Sequence, residues 1–249
     1  MTDYSYIGTG KAYLRKVGAA APLIEVGNAS AITFGVTEDV KTLLDRTQPG
    51  GGNRNEVRRI SSVDFSATLT DYSPENVAMG FFGDVTALSA GTATSEAVTV
   101  YVGGLNLLAH FADSITSVKS SDGTTTFDPL DPVTGEGDYA LVDGGLSIPA
   151  GSAITDASNI KVTYAYGAKS IVEALTHSAD IYEFYFPGFN EARESKRFVL
   201  HGYKVRLGAA DQLAIVTDDF GNMTIKGTLL KDDTKPAGTS QYFRAEVEA

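Results

Sequence analysis

Residues Ala31–Leu69, AITFGVTEDVKTLLDRTQPGGGNRNEVRRISSVDFSATL, decide the fold class. Ile32, Phe34, Val36 and Val40 fall mostly two apart, and Val63, Phe65, Ala67 and Leu69 alternate with Asp64, Ser66 and Thr68. A period of two is that of a β-strand with one buried face. Between the two runs lies Asp45-Arg46-Thr47-Gln48-Pro49-Gly50-Gly51-Gly52-Asn53-Arg54-Asn55. Three glycines after a proline do not suit the interior of an element, so this stretch reads as a mobile loop. The unit is expected to be one long hairpin with a flexible, charged tip.

On its C-terminal side stands the strongest helix signal of the chain. Ser73 suits an N-cap, and Pro74 falls at the first helical position, where its missing N–H costs nothing. Glu75 lies in the first turn, and Val77, Ala78, Phe81 and Phe82 form one stripe before Gly83. A short amphipathic helix is expected over Pro74–Phe82, packing Val77, Phe81 and Phe82 onto a sheet. On the N-terminal side Lys11–Val17 reads as a strand, followed by Pro22-Leu23-Ile24 and a turn at Gly27-Asn28.

Farther along, Gly91–Ser95 reads as a small-residue joint where the composition shifts. From Ser89 to Gly167 nine acidic residues (Glu96, Asp113, Asp122, Asp128, Asp131, Glu136, Asp138, Asp143 and Asp156) face only Lys119 and Lys161. That segment carries −7 of a net −11, leaving −4 elsewhere. Ala97–Val102, Leu105–Ala109, Ser114–Val118, Ala140–Val142, Leu146–Ile148 and Ile160–Tyr166 are its strand candidates. It is expected to be an all-β insertion over 89–167, with its first and last strands close together, inside a discontinuous domain of 1–88 and 168–249. After a weak helical signal at Ala168–Leu175, the strands Asp180–Phe186, Arg197–Leu207, Gln212–Thr217, Met223–Leu230 and Tyr242–Val247 suggest a meander. Phe220-Gly221-Asn222 would be one of its hairpin turns.

Composition narrows the function. The chain of 249 residues has no cysteine, which excludes a disulfide framework, a thiolate metal site and a cysteine nucleophile together. The N-terminus lacks the pattern of an export leader, and no apolar run reaches the roughly 18 residues of a membrane span. The net charge of −11 argues against wrapping a phosphate backbone, which relies on Lys and Arg.

The search for chemistry finds little. Gly8-Thr9-Gly10-Lys11 has Ser5 and Ala12 where a phosphate loop needs Gly and Ser or Thr. His110, His177 and His201 stand far apart and form no paired ligand spacing. Asp122, Asp128, Asp131 and Asp138 crowd one loop, but without EF-hand spacing they match what turn chemistry selects. Glu56-Val57-Arg58-Arg59 reads as a source of ion pairs between copies or a solvated strand face. Neither an enzyme nor a cofactor or metal is expected.

Three stretches together resemble the major tail tube proteins of long-tailed, siphovirus-like bacteriophages and related tail-like particles. They are Gly27–Gly83, with its strand, long loop, strand and short helix; EGDYALVDGGLSIPAGSAI (136–154); and YEFYFPGFNEARESKRFVLHGYKVRL (182–207) through DDFGNMTIKGTLLKD (218–232) to GTSQYFRAEV (238–247). The order of these parts, not any one motif, carries the likeness. The resemblance implies two roughly orthogonal β-sheets in a sandwich-like barrel, with a flanking helix and a long hairpin arm. It implies hexameric rings that stack into a hollow tube, with DNA passing through the lumen unbound and no membrane involved. The loop Leu44–Arg58 would be the inter-ring arm, through Asp45, Arg46, Gln48, Pro49, Gly50, Gly51, Gly52, Asn53, Arg54, Glu56 and Arg58. Further partners would be tape-measure, tail-terminator and distal tail proteins, in a virion tail assembled in the bacterial cytoplasm. The competing reading is a monomeric β-sandwich module for a carbohydrate or a cell surface, with Gly104–Tyr166 as the platform. Tyrosine is available there for stacking, though the chain has no tryptophan.

Overall fold

The computed structural model describes residues 4–178 and 180–248. The chain divides into two compact units, one formed by the segments up to Val85 and from Val172 onward, the other by Thr86–Ile171. The first segment holds β1 (Gly8–Gly10), β2 (Tyr13–Lys16), β3 (Ile24–Glu25), β4 (Ala29–Asp45), β5 (Gly52–Leu69) and helix α1 (Pro74–Gly80). The middle of the chain holds β6 (Asp84–Leu88), β7 (Gly91–Val100), β8 (Leu105–Asn106), β9 (Ser114–Ser120), β10 (Thr126–Phe127), β11 (Ala140–Val142), β12 (Gly145–Ser147), β13 (Ser158–Tyr166) and β14 (Lys169–Glu173). The last segment holds β15 (Ile181–Asn190), a short 3-10 turn at Glu191–Arg193, β16 (Lys196–Ala210), β17 (Met223–Leu229) and β18 (Phe243–Val247). The protein is mainly β.

Nine strands of the first unit make one sheet in the order β3-β2-β15-β16-β17-β5-β4, with β1 added on β15 and β18 on β16. Strand β16 joins its two halves: residues 198–202 pair with β18, and 205–210 pair with β17. Strands β4 and β15 lie four steps apart in this order, about 19 Å in a flat sheet. Yet the rings of Phe34 and Phe184 are 5.5 Å apart. The sheet therefore coils over onto itself in a sandwich-like arrangement, open between β3 and β4 instead of closing as a barrel. Along β5 the expected alternation holds: Val63, Phe65, Ala67 and Leu69 are buried, and the residues between them are half-buried. They join Leu14, Phe184, Val205, Leu207 and Ile225 in one core. Burying each such side chain contributes roughly 1.5–3 kcal/mol.

Helix α1 begins as its sequence dictates. Ser73 Oγ accepts a hydrogen bond from Asn76 N at 3.2 Å, with Pro74 in the first turn. The Asn76 amide, buried, donates to Val26 O and Asp71 O at 2.8 Å each, fastening the helix to the chain that enters β4. It also ends sooner than expected, at Gly80. Phe82 turns left-handed at φ 50°, and Gly83 N returns to Ala78 O at 2.8 Å. Of the three expected packing residues, Phe81 meets the core beside Met79, whereas Val77 and Phe82 are half-buried outside it. A side chain at Gly80 would place its Cβ 2.8 Å from Met223 Sδ and 3.3 Å from Ala210 Cβ, so Met223 would have to shift to admit it.

The second unit has its own core, built on Val100, Val118, Leu146, Ile160, Val162 and Tyr164. Strands β7 and β13 pair antiparallel from Gly91↔Tyr166 to Val100↔Ser158, and β9 and β10 extend that sheet. Tyr164 donates to Glu96 Oε2 at 2.6 Å, and desolvation pushes its hydroxyl up to about 12.

Four expectations are corrected. Residues 168–175 do not form a helix: β14 pairs with β6 as a two-stranded ribbon, where β-branched Ile171 and Val172 suit a strand. Gly91–Ser95 is no joint but the start of β7, held by β13. Gln212–Thr217 is not a strand, and Phe220-Gly221-Asn222 is not a hairpin turn. The chain leaves the ladder at Asp211, and 211–222 form one connection between β16 and β17 in which only Leu213 reaches the core.

Candidate functional site

The most unusual feature of the first unit is the outer part of the β4–β5 hairpin. Its strands run 17 and 18 residues, far beyond the five or six of an ordinary strand. Up to Phe34 and Val63 the pair belongs to the core. Beyond that point every residue from Gly35 to Leu44 and from Gly52 to Ser61 is exposed. The projecting part is about 33 Å long at ~3.3 Å per residue.

The expected mobile loop over Leu44–Arg58 is mostly a ladder. Pairing continues through Val40↔Arg58, Thr42↔Glu56 and Leu43↔Asn55 to Asp45↔Gly52. Only 46–51 turn, because Gly50 and Gly51 take φ of 95° and 42° and let two strands that close on each other pair to the end. Asp45 caps the turn: its carboxylate accepts from the Thr47 hydroxyl at 2.6 Å and the Thr47 amide at 2.8 Å, which hold it below the usual carboxylate range. Gly51 N donates to Gln48 O, and Asn53 Nδ2 donates to Glu56 at 3.2 Å. Pro49 lies in the turn, and Arg54 is the extra residue of a bulge between Asn53 and Asn55.

Register shows what the arm presents. A second bulge, at Ser61, lets Glu38 face Ile60 and Val40 face Arg58. Val36, Val40, Leu44 and Ile60 therefore prolong the face that is core-facing at Phe34 and Val63, but with no layer above them. Leu43 and Val57 stand on the opposite face. Leu43 is 59 % and Ile60 58 % exposed. On the first face Arg58 joins Glu56 at 2.5 Å and Glu38 at 3.2 Å. Arg46, Arg54 and Arg59 have no ion-pair partner among the described residues. The arm, Gly35–Ser61, holds five basic residues against four acidic ones, in a chain of net −11. Its backbone edges are equally open. Among the described residues β4 pairs only with β5, so a 17-residue strand edge has no neighbour.

Charge clusters concentrate instead on β2, β15 and β16. Glu183 accepts from Arg15 and from His201 at 2.7 Å; burial alone would raise its carboxyl, but these hydrogen bonds outweigh it and hold it below the ordinary range. Nearby, Lys204 holds the buried Asp232 at 2.9 Å, and both clusters line a cavity of about 420 Å³ with Lys235 and Tyr203. Glu183 is thus paired with Arg15, and Asp232 with Lys204, charge-assisted contacts that hold both carboxyls in the ionised form.

The remaining sequence candidates lie apart. Gly8–Gly10 is an edge strand on β15, not a loop around a phosphate. His110 packs on Tyr166, and His177 lies between Gly83 O and Ser178 O at 3.0 Å each. Asp122 and Asp131 accept from the amides of Thr124 and Val133 two residues on, which is turn chemistry, whereas Asp138 accepts from the amides of Asp128 and Ala153 and ties separate parts of the loop together. No group of three metal-ligating side chains, and no helix long and apolar enough to cross a membrane, occurs among the described residues.

Sequence reading placed the arm's charges and the alternation through Val36 and Val40, but not that these two, with Leu43, Leu44, Val57 and Ile60, stand exposed. The signal was present: alternation continues well past the length at which a single core can cover it. The connection 211–222 was missed as well. No curated protein matches the sequence. The chain belongs to the family described as protein of unknown function UCP028589, which matches residues 5–246.

Proposed function

We propose that the chain is a structural subunit that assembles with copies of itself into stacked rings, as the tail tube of a long-tailed bacteriophage does. The observation that carries this reading is the bare arm. A two-stranded ribbon alone is at best marginally stable in water, and one that exposes apolar side chains on both faces and is open on both edges is a template for another chain.

Magnitudes favour many arms acting together. The six exposed apolar side chains of the arm are about half covered already, so completing their burial yields about 1 kcal/mol each. That is roughly 6 kcal/mol per arm, against ~4–15 kcal/mol for the freedom lost on association. One arm therefore barely holds two chains, whereas the arms of a closed ring act in parallel and multiply the effect. In this reading six copies form the ring, DNA passes through the lumen during ejection, and tape-measure, terminator and distal tail proteins complete the particle. No cofactor takes part.

Electron microscopy of the purified chain at rising concentration tests the proposal. Six-fold rings or tubes are expected. A strict monomer at all concentrations, above all one that binds glycans through the 104–166 region, would refute it.

A further inference from the structure

The arm has a counterpart on the same unit. In the 211–222 connection Ile215, Val216 and Phe220 are 87 %, 93 % and 90 % exposed. The loop is nevertheless anchored at both ends. Asp211 N donates to Thr224 O at 3.1 Å, and the Asp211 carboxylate meets Lys226 at 2.5 Å. Leu213 packs on the core, and the Tyr72 hydroxyl donates to Asn222 O at 3.0 Å. Three large apolar side chains are thus held out on fixed roots. Beside them stand Asp218 and Asp219, with no cation partner among the described residues and no Lys or Arg anywhere in 211–222.

Register places this loop opposite the arm. Strand β17 begins at Met223, which pairs with Leu69, and ends toward Thr228, which pairs with Asp64. The loop therefore projects from the Leu69 end of β5, and the arm from its Gly52 end. Seventeen extended residues separate Leu69 from Gly52, about 55 Å at ~3.3 Å per residue, so a chain's own arm does not reach its own loop.

We propose that the 211–222 loop is the seat for the arm of a second copy, joined head to tail. This rests on the reading of the arm as an assembly element and names the surface that receives it. Charge complementarity selects the occupant. The arm brings unpaired Arg46, Arg54 and Arg59 beside Leu43, Leu44 and Val57, and the seat offers unpaired Asp218 and Asp219 beside Ile215, Val216 and Phe220. Unlike surfaces at opposite ends of β5 make a heterologous contact, which builds an open stack wherever its rotation does not close into a ring.

Because the chain has no cysteine, single thiols report the contact cleanly. L44C and V216C variants of the full chain are mixed, mildly oxidised and run without reducing agent. A cross-linked dimer is expected in the mixture, roughly tenfold or more above either variant alone, and a ladder of products from the double variant L44C/V216C. Adding D218K/D219K to the V216C chain should remove the link, and adding R54E/R59E to the L44C chain should then restore it. Assembly that continues without the mixed link, and unaffected by D218K/D219K, overturns the seat while leaving self-assembly intact. An unmodified chain that never associates overturns both.

Discussion

The two halves of the β4–β5 hairpin share one ladder and differ in everything else. At the root, Phe34 and Phe65 lie 5.4 Å apart against Phe184, and side chains alternate between buried and half-buried. A few residues farther out, the same face carries Val36, Val40, Leu44 and Ile60 into solvent. The β4–β5 hydrogen bonds continue through both halves, so that ladder does not set the contrast, although at the root β5 also pairs with β17. What differs is whether a second layer lies above the face. The root shows what the outer half lacks: the same alternation of residues continues there with no layer above it among the described residues.

The contrast breaks most sharply under deletion. Removing Gln48–Asn55 is expected to leave the thermal midpoint within a few degrees of the intact chain and to abolish assembly, read by calorimetry and electron microscopy on one sample. Next in size, Phe65→Ala at the root should cost about 3–5 kcal/mol by denaturant titration, because it opens a cavity in the core. Ile60→Ala on the same strand should stay within ~0.5 kcal/mol in the monomer, because Ile60 is exposed and has no core layer above it. Removing the cap of α1 by Ser73→Ala should cost about 1 kcal/mol in the same titration.

The smallest effect separates the body of the first unit from the arm by pH. The Lys204 hydrogen bond holds the Asp232 carboxyl down to about 2, below its ordinary 3.8. A lowered carboxylate stabilises the fold above pH 4, and that contribution fades as pH falls toward 2. Asp232→Asn should flatten the acid limb of a stability curve over that window. Asp45→Asn on the arm should not move it, although Thr47 lowers that carboxyl too, because the turn opens locally without unfolding the core.

Much of this fold was legible in the sequence. The period-two runs gave the hairpin, and Ser73-Pro74 gave the start of the helix, because each depends on neighbours in the chain. The β6–β14 ribbon was not legible, since either strand becomes visible only through a partner some eighty residues away in sequence. The tip was misread because glycine marks a turn but not how far pairing continues around it. Within 211–222, Gln212–Thr217 reads as a strand because Leu213 and Ile215 alternate. Alternation reports a face and says nothing of whether the next strand lies within reach. Of the candidate site, the charged residues were found by composition alone. The exposed apolar residues required knowledge of where the core stops.

One ladder with a basic arm at one end and an acidic loop at the other has a direction, and anything built by repeating it inherits that direction. The first and last copies of such a column would be chemically unlike, one showing only arms and the other only seats. Elongation would then proceed at different rates at the two ends, and a protein able to terminate one would have no purchase on the other. Length control would reduce to governing a single growing end.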